Sequence, residues 1–167
     1  MDSTPHLHRS MPAWASAALL IVAGCSAAPA ETSPGAAGQP RPLSARLLDG
    51  GSRSGITTSE ERVVQGPDEW QRLWQAHQAG AVPQRPLPAV DFSRELSIAI
   101  FAGQRPTGGF AVAVEQVTES PSGIEVSYRV TPPPPGAIVS QALTSPFQII
   151  AVPSRPGPVR FRRLPEN

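Results

Sequence analysis

The sequence predicts an α+β domain: mainly antiparallel β-sheet or a small sandwich, with one amphipathic helix packed on it. Three observations predict it. From Leu96 to Leu164, apolar side chains recur at every second position in a series of short runs. The turns joining those runs are too short for the crossovers that parallel strands need, which points to antiparallel pairing. One stretch alone, Gly66–Gly80, spaces its apolar residues as a helix does.

Taken along the chain, Ala45–Leu48 reads as a first strand and Arg62–Gln65 as a weaker one. The helix follows in GPDEWQRLWQAHQAG. Pro67 suits its first position, and Asp68 and Glu69 complement the positive end of its dipole. Trp70, Leu73, Trp74 and His77 fall at i, i+3, i+4 and i+7, on one face, and Gly80 ends it. Leu96, Ile98 and Ile100 then alternate with Ser97, Ala99 and Phe101, and Phe110, Val112 and Val114 with Ala111, Ala113 and Glu115. In Ile124–Thr131 the alternation of Ile124, Val126, Tyr128 and Val130 with polar residues predicts one buried and one wet face. Phe147–Val152 and Val159–Leu164 complete the strands.

The chain divides into a signal segment (1–24), an acylated Cys25 with a Pro/Ala/Gly-rich tether (25–42) and the β-rich domain (43–164). The uncharged run Ala13–Gly24 follows Arg9 and is too short to cross the bilayer, which takes about 20 residues. It ends in Val22-Ala23-Gly24-Cys25, which resembles a bacterial lipobox, so Cys25 is the expected lipidation site. Two or three acyl chains, at about 0.8 kcal/mol per buried CH₂, anchor stably where one myristoyl chain does not. Ser26 in place of Asp, by resemblance to Gram-negative lipoproteins, favours the outer membrane or cell surface over the inner membrane. The tether has no large apolar residue to offset its ordering entropy and is expected to be disordered.

A formal net charge of +1 gives no electrostatic reason to expect a nucleic-acid partner. All 14 basic residues are Arg, so Schiff-base and Ser-Lys chemistry are excluded. The single Cys excludes an internal disulfide and a four-thiolate metal site. Past the signal, His77 is the sole histidine, and its place beside two Trp reads as a packed helix residue. A Ser-His-Asp triad is conceivable in principle, but no GxSxG elbow marks a nucleophile. Glu60-Glu61 reads as a solvated turn, and Arg160, Arg162 and Arg163 as a solvated strand face with lipid headgroup contact as the sharper reading. Gln104–Phe110 lacks a phosphate-loop pattern and opens a strand. The expectation is a non-catalytic chain without cofactor or metal.

Several segments together resemble the PrcB family, found as a C-terminal domain in bacterial secreted and lipoprotein chains. They are EWQRLW, Asp91–Glu95, Ile100–Gly103, Thr107-Gly108-Gly109-Phe110 and PPPPGAIVSQALTSPFQIIAVP, spanning about Asp68–Pro153. The family's usual Tyr after the double Gly and after the Pro is replaced by Phe110 and Phe147. The resemblance implies an accessory subunit of a surface protease complex, brings no catalytic residues, and makes an exported protease the expected partner. Gly108-Gly109 allows a tight reversal, and Pro132–Pro135, ended by Gly136, forms a stiff extended segment. The expected partner-binding residues are therefore Thr107, Gly108, Gly109, Phe110, Pro133, Pro134, Pro135, Gly136, Pro146 and Phe147. Two alternatives remain: an inhibitor, since the order of the loops is distantly similar to that of chagasin-like protease inhibitors, and a structural envelope lipoprotein without a protease partner.

Overall fold

The structure is a computed structural model and describes residues 38–166. The signal segment, the lipidation site Cys25 and the tether up to residue 37 lie outside the described residues. Eight strands and one helix follow in the order β1 (Arg41–Pro42), β2 (Arg46–Gly51), β3 (Ser59–Val64), α1 (Pro67–His77), β4 (Glu95–Ala102), β5 (Ala111–Ser120), β6 (Gly123–Thr131), β7 (Phe147–Pro153) and β8 (Val159–Arg163). Two four-stranded sheets result, ordered β1-β5-β6-β8 and β2-β7-β4-β3. This is the mainly-sheet α+β fold that the sequence predicts. Arg41 and Pro42, the last residues of the expected tether, are paired with Thr118 and Glu119.

The layers follow from side-chain parity. Even-numbered residues of β4 and β7 (Leu96, Ile98, Ile100, Ile150, Val152) meet Val117, Ile124, Val126, Tyr128 and Val130 of the other sheet. Odd-numbered residues of the same strands (Ala99, Phe101, Phe147, Ile149) meet Trp70, Leu73 and Trp74 of α1. The β2-β7-β4-β3 sheet is thus covered on both faces, and its central strands are apolar on both. The helix lies on it by the face that the spacing predicts, since Trp70, Leu73, Trp74 and His77 are all buried. Each Trp removes roughly 150–250 Å² from water, about 4–6 kcal/mol gross at ~25 cal/mol per Å². Their indole N–H groups donate to the carbonyls of Pro88 and Arg85, fastening the segment after the helix alongside it.

Two expectations are corrected. β8 pairs with β6 in parallel, from Ile124↔Val159 to Tyr128↔Arg163, whereas the short turns pointed to antiparallel pairing. After β6, the chain returns as β7 in the opposite sheet, so β8 reaches the edge of the first sheet running in the direction of β6. Glu60 and Glu61 lie within β3, opposite Phe101 and Ile100, and form no turn. As an edge strand, β3 carries charged side chains where a central strand could not.

The topology gathers loops at one end. β2 and β6 finish there, α1 finishes there, and β3, β5 and β7 start there. The first described strand, β1, pairs with the far end of β5 next to the Ser120–Gly123 turn. β5 is 10 residues long, so the two ends are separated by roughly 30 Å at ~3.3 Å per residue.

Candidate functional site

Two of the loops that the sequence singles out come together. Arg105 and Thr144 form an antiparallel bridge, with N–H···O distances of 2.7 and 3.0 Å. The Gly108 amide donates to Ser140 O at 2.9 Å, and the Thr144 hydroxyl to Thr107 O at 2.7 Å. Gly109 has φ +84°, and a Cβ there would lie 2.7 Å from Pro133 Cβ and 2.9 Å from Val139 Cγ1. Only glycine lets the backbone turn and the loops close on each other at that point. A third segment joins them, since Ser145 N donates to Ser52 O and Gln104 N to Thr57 O, both at 2.8 Å.

The predicted residues divide between this ledge and the interior. Pro134, Pro135, Gly136 and Gly109 are exposed, while Thr107, Phe110 and Pro133 are half-buried and Gly108 is buried in the loop contact. The Arg105 guanidinium covers the Phe110 ring at 5.6 Å. Pro146 and Phe147 are fully buried, so neither can touch a partner in this fold. Phe147 instead packs 4.2 Å from the His77 ring, on the helix side of β7. The ledge's large exposed side chains are ones that sequence reasoning did not select: Ile138, fully exposed, and Leu143, 66% exposed.

Beneath the ledge lies a polar network that sequence reasoning missed except for His77. His77 Nε2 is 3.0 Å from Asp49 Oδ2, and Nδ1 is 2.9 Å from Ser54 Oγ. The other Asp49 oxygen accepts from the Arg85 guanidinium and from the Gly50 amide. Asp49 is 7% exposed and His77 2%. A carboxylate only accepts, so His77 donates through Nε2–H and accepts the Ser54 hydroxyl proton at Nδ1. Burial lowers the His77 pKa below its usual value, against the upward pull of the Asp49 hydrogen bond and charge. The imidazole is therefore neutral at pH 7.

Ser54, His77 and Asp49 are hydrogen-bonded in the order of a hydrolase triad, but the geometry does not serve attack on a substrate. The ring is enclosed by Phe147, Trp74 and Phe101, with centroids at 4.2, 5.2 and 6.0 Å, and its side chain has no exposed surface. A leaving group could not reach Nδ1 to take back the proton. The Ser54 oxygen also accepts the Ile56 amide at 3.0 Å, closing a local turn. What the network does is hold the Ser52–Thr58 loop and Arg85 against the end of α1. Gly55 completes that closure: its amide donates to His77 O at 2.8 Å, and a Cβ there would lie 2.4 Å from Ala76 O.

The fold and this site together define a two-sheet α+β domain whose loops are joined into one ledge over a neutral, enclosed polar network. Residues 96–153 match the family described as PrcB C-terminal, as the sequence resemblance implies, and the match takes in both ledge loops. No curated protein and no solved structure matches the chain. Among the described residues no helix is long and apolar enough to cross a membrane.

Proposed function

We propose that this chain is a lipid-anchored, non-catalytic accessory module that docks an exported protease by its loop end. The observation that carries the reading is the hydrogen-bonded pairing of the 103–110 and 132–146 loops inside the region matched by the family. A pre-formed ledge loses little entropy on binding, and exposed Ile138, Leu143, Pro134 and Pro135 give it apolar surface. The described chain begins at the end of the domain opposite the ledge. The enclosure of His77 favours a binding role over a hydrolytic one.

The test is capture of the anchored protein from its own cells beside two variants. Cys25→Ala is expected to release the protein from membranes. Ile138→Asp is expected to lose an exported protease that the parent protein retains, while folding normally. Activity of the captured protease separates accessory from inhibitor: undiminished or raised activity supports the accessory role, and blocked activity assigns the inhibitor. Equal capture by the parent and Ile138→Asp would remove the ledge from the reading.

A further inference from the structure

Beside the ledge, a cavity of about 490 Å³ opens between the Arg53–Gly55 turn, the end of α1, the Ala79–Pro83 segment and Leu143–Ser145. Its charge is one-sided. Arg53 and Arg85 both line it, and no carboxylate does. Asp49, the acid nearest this wall, is 7% exposed and already takes Arg85, the Gly50 amide and His77. His77 stands in the wall behind them, with its neutral ring enclosed and no side-chain surface exposed. Arg53 is exposed and has no hydrogen-bond or ion-pair partner among the described residues. Ser145, 7% exposed, lines the same space with a hydroxyl that has no partner among them either. Two apolar side chains stand exposed in its lining, Val82 at 95% and Leu143 at 66%.

We infer that this cavity is a binding site for the free C-terminus of a polypeptide that ends in an apolar residue. The terminal carboxylate meets the Arg53 guanidinium, the outer face of Arg85 and the Ser145 hydroxyl. The last side chain meets Leu143 and Val82. A guanidinium presents two parallel N–H donors to a carboxylate, the geometry in which such pairs are strongest. The residues before the terminus leave along the 132–146 loop toward Ile138, which a small free carboxylate would leave uncovered. The buried network supplies the rigidity: Asp49 and His77 fix Arg85 and the turn that carries Arg53 before any ligand arrives.

This inference deepens the docking role proposed above and rests on it, but its test needs no cellular partner. A fluorescein-labelled pentapeptide ending in leucine is titrated with the purified protein, once as free acid and once as C-terminal amide, and anisotropy is followed. The acid is expected to bind at least about tenfold more tightly than the amide, the loss of one charge-assisted contact. Arg53→Gln, a change at an exposed side chain with no hydrogen bond or ion pair among the described residues, is expected to weaken the acid about tenfold and leave the amide unchanged. Equal binding of acid and amide would overturn the inference, as would no saturation by either below about 1 mM. Hexanoate that competes as well as the peptide, mole for mole, would assign the cavity to small free carboxylates and overturn the polypeptide reading. None of these failures alters the capture result with Ile138→Asp, and failure of capture leaves the acid–amide comparison standing.

Discussion

Removing the Asp49 carboxylate separates a hydrogen-bonding hub from a passive buried acid. Asp49→Ala takes the acceptor from three donors: His77 Nε2–H, the Arg85 guanidinium and the Gly50 amide. The Arg85 side chain is 50% exposed and returns to water, so its share is small. The His77 side chain has no exposed surface and cannot. Hydrogen bonds to a charged group contribute about 1.5–3 kcal/mol each, and an enclosed donor left alone adds its desolvation. The expected loss is about 3 kcal/mol, or about 10–15 °C in Tm for a domain of this size. Asp49→Asn behaves differently. Its carbonyl still accepts from Arg85 and Gly50, and its amide donates to His77 Nε2 once the imidazole proton moves to Nδ1 and points at Ser54. That variant is expected to lose about 1 kcal/mol. Urea unfolding followed by the fluorescence of buried Trp70 and Trp74 measures both. Equal losses in the two variants, or less than about 1 kcal/mol for Asp49→Ala, would refute the hub.

Three further outcomes are expected. Because the folded His77 pKa lies below 6.5, the unfolded chain binds the proton first. Stability is therefore full above pH 6.5 and falls as pH drops through the folded value, a decline that urea midpoints at pH 7 and pH 5 should show and His77→Gln should flatten. Tyr128 has the opposite sign: burial, with the hydrogen bond to Glu61, pushes its pKa up to about 12 from 10.0. Its contribution is intact below pH 10.0 and lost as pH rises toward about 12, and Tyr128→Phe should remove that alkaline slope. Gly109→Ala should destabilise by about 2 kcal/mol in thermal or urea melts, more than Gly136→Ala at about 1 kcal/mol. Both have positive φ, +84° and +77°, but only at Gly109 would the new Cβ meet Pro133 and Val139. Equal losses would argue against loop contact as the reason for Gly109.

How legible each strand was depended on its surroundings. β4 and β7 stand between the helix and the other sheet, so both faces are buried and their runs are apolar throughout. β6 was read from its alternation, yet Ser127 is only 3% exposed, so its outer face is drier than the residues alone imply. Edge strands hid themselves. β3 reads SEERVV, with Arg62 bonded to Glu60, and its acids look like a turn until strand pairing places them opposite Phe101 and Ile100. The direction of β8 was not local information at all, because it depends on β7 crossing to the other sheet. The helix was the easiest element, since its spacing, first-turn acids and proline act within a few residues of one another.

The ledge and the network differ in the same way. Gly108-Gly109 and the proline run are local signals, and both lie where the loops close. The network was half visible. A histidine on an apolar helix face must satisfy two ring nitrogens, so its burial implied an acceptor somewhere in the fold. The acceptor could not be named because β2 breaks the rule by which faces are assigned. Its register against β7 shifts between Leu47 and Asp49, leaving Leu48 as an extra residue. Leu48 packs with the helix-side core, and Asp49, the next residue, reaches His77 on that same side. Strict alternation would have sent Asp49 to the opposite face from Leu48. A bulge that turns a carboxylate inward depends on pairing with a strand far along the chain, so the buried network becomes visible only when the sheet is assembled.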